Sequence, residues 1–137
     1  MNEVHGSCLC GDVSFRLTWP SLWVAHCHCT LCQRAHGAAF VTWIGMNTEA
    51  CAIDDPHAHL RWYASTPGAE RGFCACCGSS LFFRSERWAG ELHIAVANLH
   101  GAVDRAPMAH VFWESHAPWA ATDPNDGLPR KDGAGSN

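Results

Sequence analysis

The feature that most constrains this chain is the grouping of its cysteines. Of nine in 137 residues, eight fall in three short blocks: "CLC" at 8–10, "CHCTLC" at 27–32 and "CACC" at 74–77. Chains stapled by disulfides rarely crowd their thiols in this way. The opening "MNEVHGSCLCG" lacks the basic and apolar stretches of a secretory signal, so a reducing, cytoplasmic setting is expected. There, grouped cysteines read as metal ligands or redox groups, and the fold must bring the blocks to common points.

"CLCG" and "CACCG" both end in Cys-Gly. In a zinc knuckle a tight turn points backbone N–H groups at the thiolates, and glycine after the last cysteine tolerates the positive φ of that turn. The expected set is Cys8, Cys10, Cys74 and Cys77, a closed tetrahedral site of the structural type. It would clamp an N-terminal hairpin to a loop far along the chain; the alternative is four buried thiols. The middle block has no glycine after its last cysteine. Cys27, Cys29 and Cys32 would leave a fourth position on a second zinc open, as catalytic zinc sites do. The alternative is closure by His26, His28 or His36, which would make that site structural too. Two zinc ions per chain are expected. Cys51 reads as a buried, inert thiol, and Cys76 lies between two presumed ligands, with a weaker claim to redox chemistry.

The rest of the sequence is strand-like. "DVSFRLT" (12–18) alternates Val13, Phe15 and Leu17. Segments 38–45, 60–64, 80–84, 91–97 and 108–113 are short and rich in aromatic and β-branched residues. Only "TLCQRAHG" (30–37) suggests a helix, with Thr30 as cap and Gly37 as stop. The fold class is therefore mainly β: one domain over residues 1–121, built of short sheets with metal knuckles. The Gly- and Pro-rich residues 122–137 read as a flexible C-terminal tail. No apolar run approaches the roughly 20 residues of a membrane span. The net charge is −4 and no basic run exceeds two residues, which argues against nucleic acid as a partner. An unpaired strand edge would permit a homodimer.

Four stretches, "GSCLCGDVSF", "CHCTLCQR", "RGFCACCGSSLFF" and "HVFWESHAPW", together resemble the glutathione-dependent formaldehyde-activating enzyme (GFA) family, which includes centromere protein V. The resemblance covers about residues 5–120. It implies a zinc-binding domain of the β-tent kind, with structural zinc on Cys8, Cys10, Cys74 and Cys77 and catalytic zinc on Cys27, Cys29 and Cys32. It also implies a carbon–sulfur lyase resembling S-(hydroxymethyl)glutathione synthase, with glutathione as the partner thiol and formaldehyde as the electrophile. A non-catalytic zinc-stabilised binding module and a thiol redox enzyme are the competing readings. Beside the zinc, Arg34 is the cation nearest in sequence. His28 would either shuttle a proton or face solvent, and Trp43, Trp62 and Phe83 would wall a pocket or fill the core.

Overall fold

The computed structural model describes residues 2–135; residue 1 and residues 136–137, the extreme ends of the two segments expected above, lie outside them. Ten strands form two open sheets. β1 (Glu3–Ser7), β2 (Ser14–Thr18) and β5 (Cys51–Asp54) make a three-stranded antiparallel sheet in the order β1-β2-β5. The other seven are β3 (Trp23–Cys27), β4 (Val41–Asn47), β6 (Leu60–Thr66), β7 (Ala69–Cys74), β8 (Ser80–Ser85), β9 (Glu91–Ala95) and β10 (His110–Val111). They run in the order β10-β3-β4-β9-β8-β7-β6, antiparallel except where β10 joins β3. No helix among the described residues is long and apolar enough to cross a membrane.

The period-2 alternation of strands divides the large sheet into two chemically different faces. Val24 of β3, Ile44 and Met46 of β4, and Leu92 and Ile94 of β9 point one way. There they meet Val4, Phe15 and Leu17 of the small sheet in the main core. The intervening residues, Trp23, Cys27, Trp43, His93 and Ala95, point the other way, into a second cluster or the cleft above it. Fully burying one such core side chain is worth about 1.5–3 kcal/mol. The main core therefore holds the two sheets together, and the second face is left for the site.

The only α-helix among the described residues, α1 (Thr30–His36), spans seven residues. Its stop is as expected: Gly37 takes the left-handed conformation at φ 61°. Its start differs from expectation. Cys29 occupies the cap position, Thr30 is the first helical residue, and no side chain caps the turn. The cysteine block thus fixes where the helix begins.

Residues 129–133, within the segment that reads as a tail, lie beside β10. His110 N donates to Pro129 O (2.9 Å), Lys131 N to His110 O (2.8 Å) and Phe112 N to Gly133 O (2.7 Å). These specific bonds, not apolar periodicity, tie the segment down.

Candidate metal centres

The first centre forms where the two Cys-Gly turns meet. The sulfurs of Cys8, Cys10, Cys74 and Cys77 all lie within 4.8 Å of one another. The Cys8–Cys10 and Cys10–Cys74 separations are 3.6 and 3.9 Å. A tetrahedral ion with metal–sulfur bonds of about 2.3 Å requires sulfur–sulfur edges of about 3.8 Å, so this donor set is compatible with zinc. The turns have the conformation their glycines permit. Gly11 and Gly78 sit at φ 86° and 80°, and Gly78 N donates to Cys74 O at 2.7 Å. Val13 N donates to the Cys8 sulfur at 3.3 Å. Leu9 N donates to Ser79 Oγ at 2.8 Å, joining one turn directly to the other.

Cys76 points elsewhere. It is exposed and joins Cys10 and Asp12 in a second set within 4.8 Å. Cys51 packs beside the core, its Sγ 3.5 Å from Asn47 O, and burial pushes its thiol up to about 11. It is half-buried rather than buried as the sequence suggests, and the raised value disfavours the reactive thiolate.

The second centre sits at the other face of the large sheet. Cys27 ends β3, Cys29 precedes α1 and Cys32 lies in its first turn. The Cys27 and Cys32 sulfurs are 3.5 Å apart. The three sulfurs are looser than the first set, since they form no group that lies wholly within 4.8 Å. At least one edge to Cys29 is therefore longer. The neighbouring thiols, Cys27 first and then Cys32, hold the Cys29 thiol below its ordinary range. The thiols of Cys29 and Cys32, followed by burial, push Cys27 up. Arg71 of β7 brings both guanidinium nitrogens Nη1 and Nη2 to 3.7 Å from the Cys32 sulfur. Its cationic carbon lies 5.1 Å from the centre of the Phe83 ring. Arg34, the cation nearest in sequence, is exposed on α1 and does not line the cleft that the three cysteines share. The sequence signal for Arg71 is its place in "ERGFC": in β7 it pairs with Phe83 of β8, which faces the cleft.

None of the nearby histidines joins the three sulfurs in a compact set among the described residues. His26 Nδ1 lies 2.8 Å from Thr42 Oγ1. His36 packs edge-on to Trp43, and burial, followed by the charge of Arg71, lowers its pKa to about 4. His28 neither faces solvent nor reaches the sulfurs. It is 1% exposed, and its Nε2 lies 2.7 Å from His110 Nδ1. His110 Nε2 in turn lies 2.8 Å from Asp126 Oδ2, and Asp126 pairs with Arg130 at 2.6 Å. Gln33 Nε2 donates to both His28 O (2.8 Å) and Ser115 O (3.0 Å). The backbone between the first two cysteines is thus pinned by a polar chain that runs from the buried His28 and His110 out to the exposed Asp126 and the half-buried Arg130. His110→Ala should destabilise the protein by about 1–3 kcal/mol, because it leaves the buried His28 ring without its hydrogen-bond partner. A thermal melt should show a Tm lower by about 5 °C or more.

The three cysteines open onto a cleft of about 530 Å³. Of the three aromatic residues that would wall a pocket or fill the core, Trp43 and Phe83 line it, and Trp23, Trp88 and Phe112 join them. Trp62 does not: it stacks on Phe82 in the core direction, with Arg84 3.7 Å above its ring. Phe112 is held in the left-handed region at φ 54°, a conformation that costs a non-glycine residue about 1–2 kcal/mol. That strain falls at the wall of the cleft, next to β10.

Two open sheets clamped at one end by a four-thiolate cluster, with a second cysteine cluster at the floor of a cleft, define a mainly β domain with candidate thiolate metal centres. The chain belongs to the GFA family: the family model described as glutathione-dependent formaldehyde-activating enzyme matches residues 3–115. A Halomonas elongata protein that carries the family's name is 25% identical over 123 residues, covering 85% of this chain and 78% of its own. An uncharacterized lyase of Schizosaccharomyces pombe is 29% identical over 83 residues, or 61% of this chain and 58% of that protein. The crystal structure of a Rhodobacter sphaeroides protein has the same fold, with a TM-score of 0.60 at 20% identity, covering 92% of this chain and 98% of that one.

Proposed function

We propose that the protein is a zinc-dependent carbon–sulfur lyase acting on a thiol–aldehyde adduct of the S-hydroxymethylglutathione kind. In this reading Cys8, Cys10, Cys74 and Cys77 hold a structural zinc, and Cys27, Cys29 and Cys32 hold the zinc at which chemistry occurs. The observation that carries it is the Cys27/Cys29/Cys32 cluster at the floor of a cleft, with no histidine completing a compact ligand set among the described residues. Family membership supports the same chemistry.

When bound at three thiolates, zinc would supply Lewis acidity and an open position that favours a substrate thiol as thiolate. The chain's residues do the rest. Arg71, against Cys32, offsets the negative charge that three thiolates accumulate. The aromatic walls exclude water and strengthen that interaction. In the synthetic direction the thiol sulfur bonds to the aldehyde carbon, and the thiol proton ends on the carbonyl oxygen. The lyase direction reverses both transfers.

The test is exchange spectroscopy by NMR at equilibrium with glutathione and formaldehyde, since the uncatalysed reaction is itself quick. The reduced, zinc-loaded protein should speed exchange between free thiol and adduct, and Cys29→Ser should return it to the spontaneous rate. Equal rates with wild type, Cys29→Ser and no protein would reject this pair. Glutathione binding without a rate effect would favour a binding module instead.

A further inference from the structure

The cleft is a poor match for a zwitterionic peptide. Its walls are mainly aromatic and aliphatic, and no aspartate or glutamate lines it among the described residues. Glutathione has an ammonium group, two carboxylates and two amides. Each polar group taken into such a cleft without a partner costs free energy. An ammonium would find no carboxylate. The wall's imidazole, His93, is already engaged, with Nε2 2.9 Å from Glu91 Oε1 and its ring packed on Trp23, Phe83 and Trp88.

The cleft is nevertheless not charge-neutral. Two cations line it. Arg71 is committed to Cys32. Lys131 is exposed on the segment beside β10 and pairs with no acidic side chain among the described residues. One further group faces unmet demand: Ser65 lines the cleft with its Oγ buried and without a hydrogen-bond partner. This combination gives wide apolar walls, one free positive charge at the open side, one spare hydroxyl and, apart from the three cysteine sulfurs, no acidic side chain among the described residues. A pocket of this size and lining takes most of a small ligand's surface out of water and orients it by few polar groups.

We infer that the thiol handled here has an apolar or aromatic body and a single anionic group, with the body against Trp43, Phe83 and Trp88 and the anion toward Lys131. The inference rests on the reading of Cys27, Cys29 and Cys32 as a thiol-handling zinc site, and it selects the substrate class for that site. It departs from the tripeptide thiol for which the family is named.

The experiment compares three thiols on the zinc-loaded full chain: 4-mercaptophenylacetate, 4-methylbenzenethiol and glutathione. Binding is read by quenching of tryptophan fluorescence, and turnover by NMR exchange with formaldehyde. The aryl carboxylate should bind at least about tenfold more tightly than glutathione, because burying its ring is worth at least one decade in affinity. Lys131→Ala should weaken 4-mercaptophenylacetate several-fold and leave the uncharged 4-methylbenzenethiol unchanged. Glutathione binding as tightly as the aryl thiols would overturn the inference and leave the lyase reading standing. So would a Lys131→Ala effect of equal size on both aryl thiols. If none of the three binds or exchanges, and Cys29→Ser changes nothing, the thiol-site reading falls and the inference with it.

Discussion

Cys77→Ser should leave the chain largely unfolded, whereas Cys29→Ser should leave the β domain intact. The difference follows from what each cluster joins. Cys8 and Cys10 follow β1, Cys74 ends β7 and Cys77 lies in the turn before β8, so the first cluster ties the small sheet to the large one. A structural zinc site contributes on the order of 10 kcal/mol to folding, comparable with a domain's whole stability. Cys27, Cys29 and Cys32 lie within six residues, and their local backbone is pinned independently through His28, His110 and Gln33. Circular dichroism and thermal melts of both variants check this. If Cys29→Ser unfolds the chain as badly as Cys77→Ser, the middle cluster is structural and the lyase reading loses its main support.

Arg71→Met should lower the catalysed exchange rate by about 10–100-fold with little loss of fold. A hydrogen bond to a charged group is worth about 1.5–3 kcal/mol, and each 1.4 kcal/mol is a factor of ten in rate. Methionine keeps much of the apolar stem against Phe83 and removes the charge beside Cys32. Arg71→Lys should recover only part of the rate, because an ammonium cannot present two nitrogens to one sulfur as the guanidinium does. The rates come from the same NMR exchange measurement, and a circular dichroism spectrum confirms that the variants are folded. A rate unchanged in Arg71→Met would remove the guanidinium from the proposed chemistry.

How far this site could be read from sequence depended on the range of the signal. The four-cysteine cluster was legible because each half is a local turn with its own Cys-Gly mark, and only the joining of the halves is long-range. The strands at 14–18, 41–47 and 80–85 were legible from alternation or aromatic content. β1 and β7 were not, because "EVHGS" and "AERGFC" mix glycine and charge with few apolar positions, and β3 was not because "WVAHC" shows no polar–apolar alternation and runs directly into the cysteine block. Arg71 escaped notice because its target lies 39 residues away in sequence, which only the register of the sheet reveals. The His28–His110–Asp126 chain was hidden for the same reason, and a histidine between two cysteines invites a metal or proton role. Trp43 and Trp62 looked alike as aromatic strand residues. Their opposite fates follow from which face of the sheet each residue occupies.

In the proposed function, seven cysteines divide into a closed set of four and an open set of three. Metal analysis of reduced, chelator-free protein, with thiol alkylation on the same sample, tests it most directly. Two zinc ions per wild-type chain are expected, with Cys27, Cys29 and Cys32 protected from alkylation, and one ion in folded Cys29→Ser. A single tightly held zinc in the wild type, with Cys27, Cys29 and Cys32 all free to alkylate, would contradict the account.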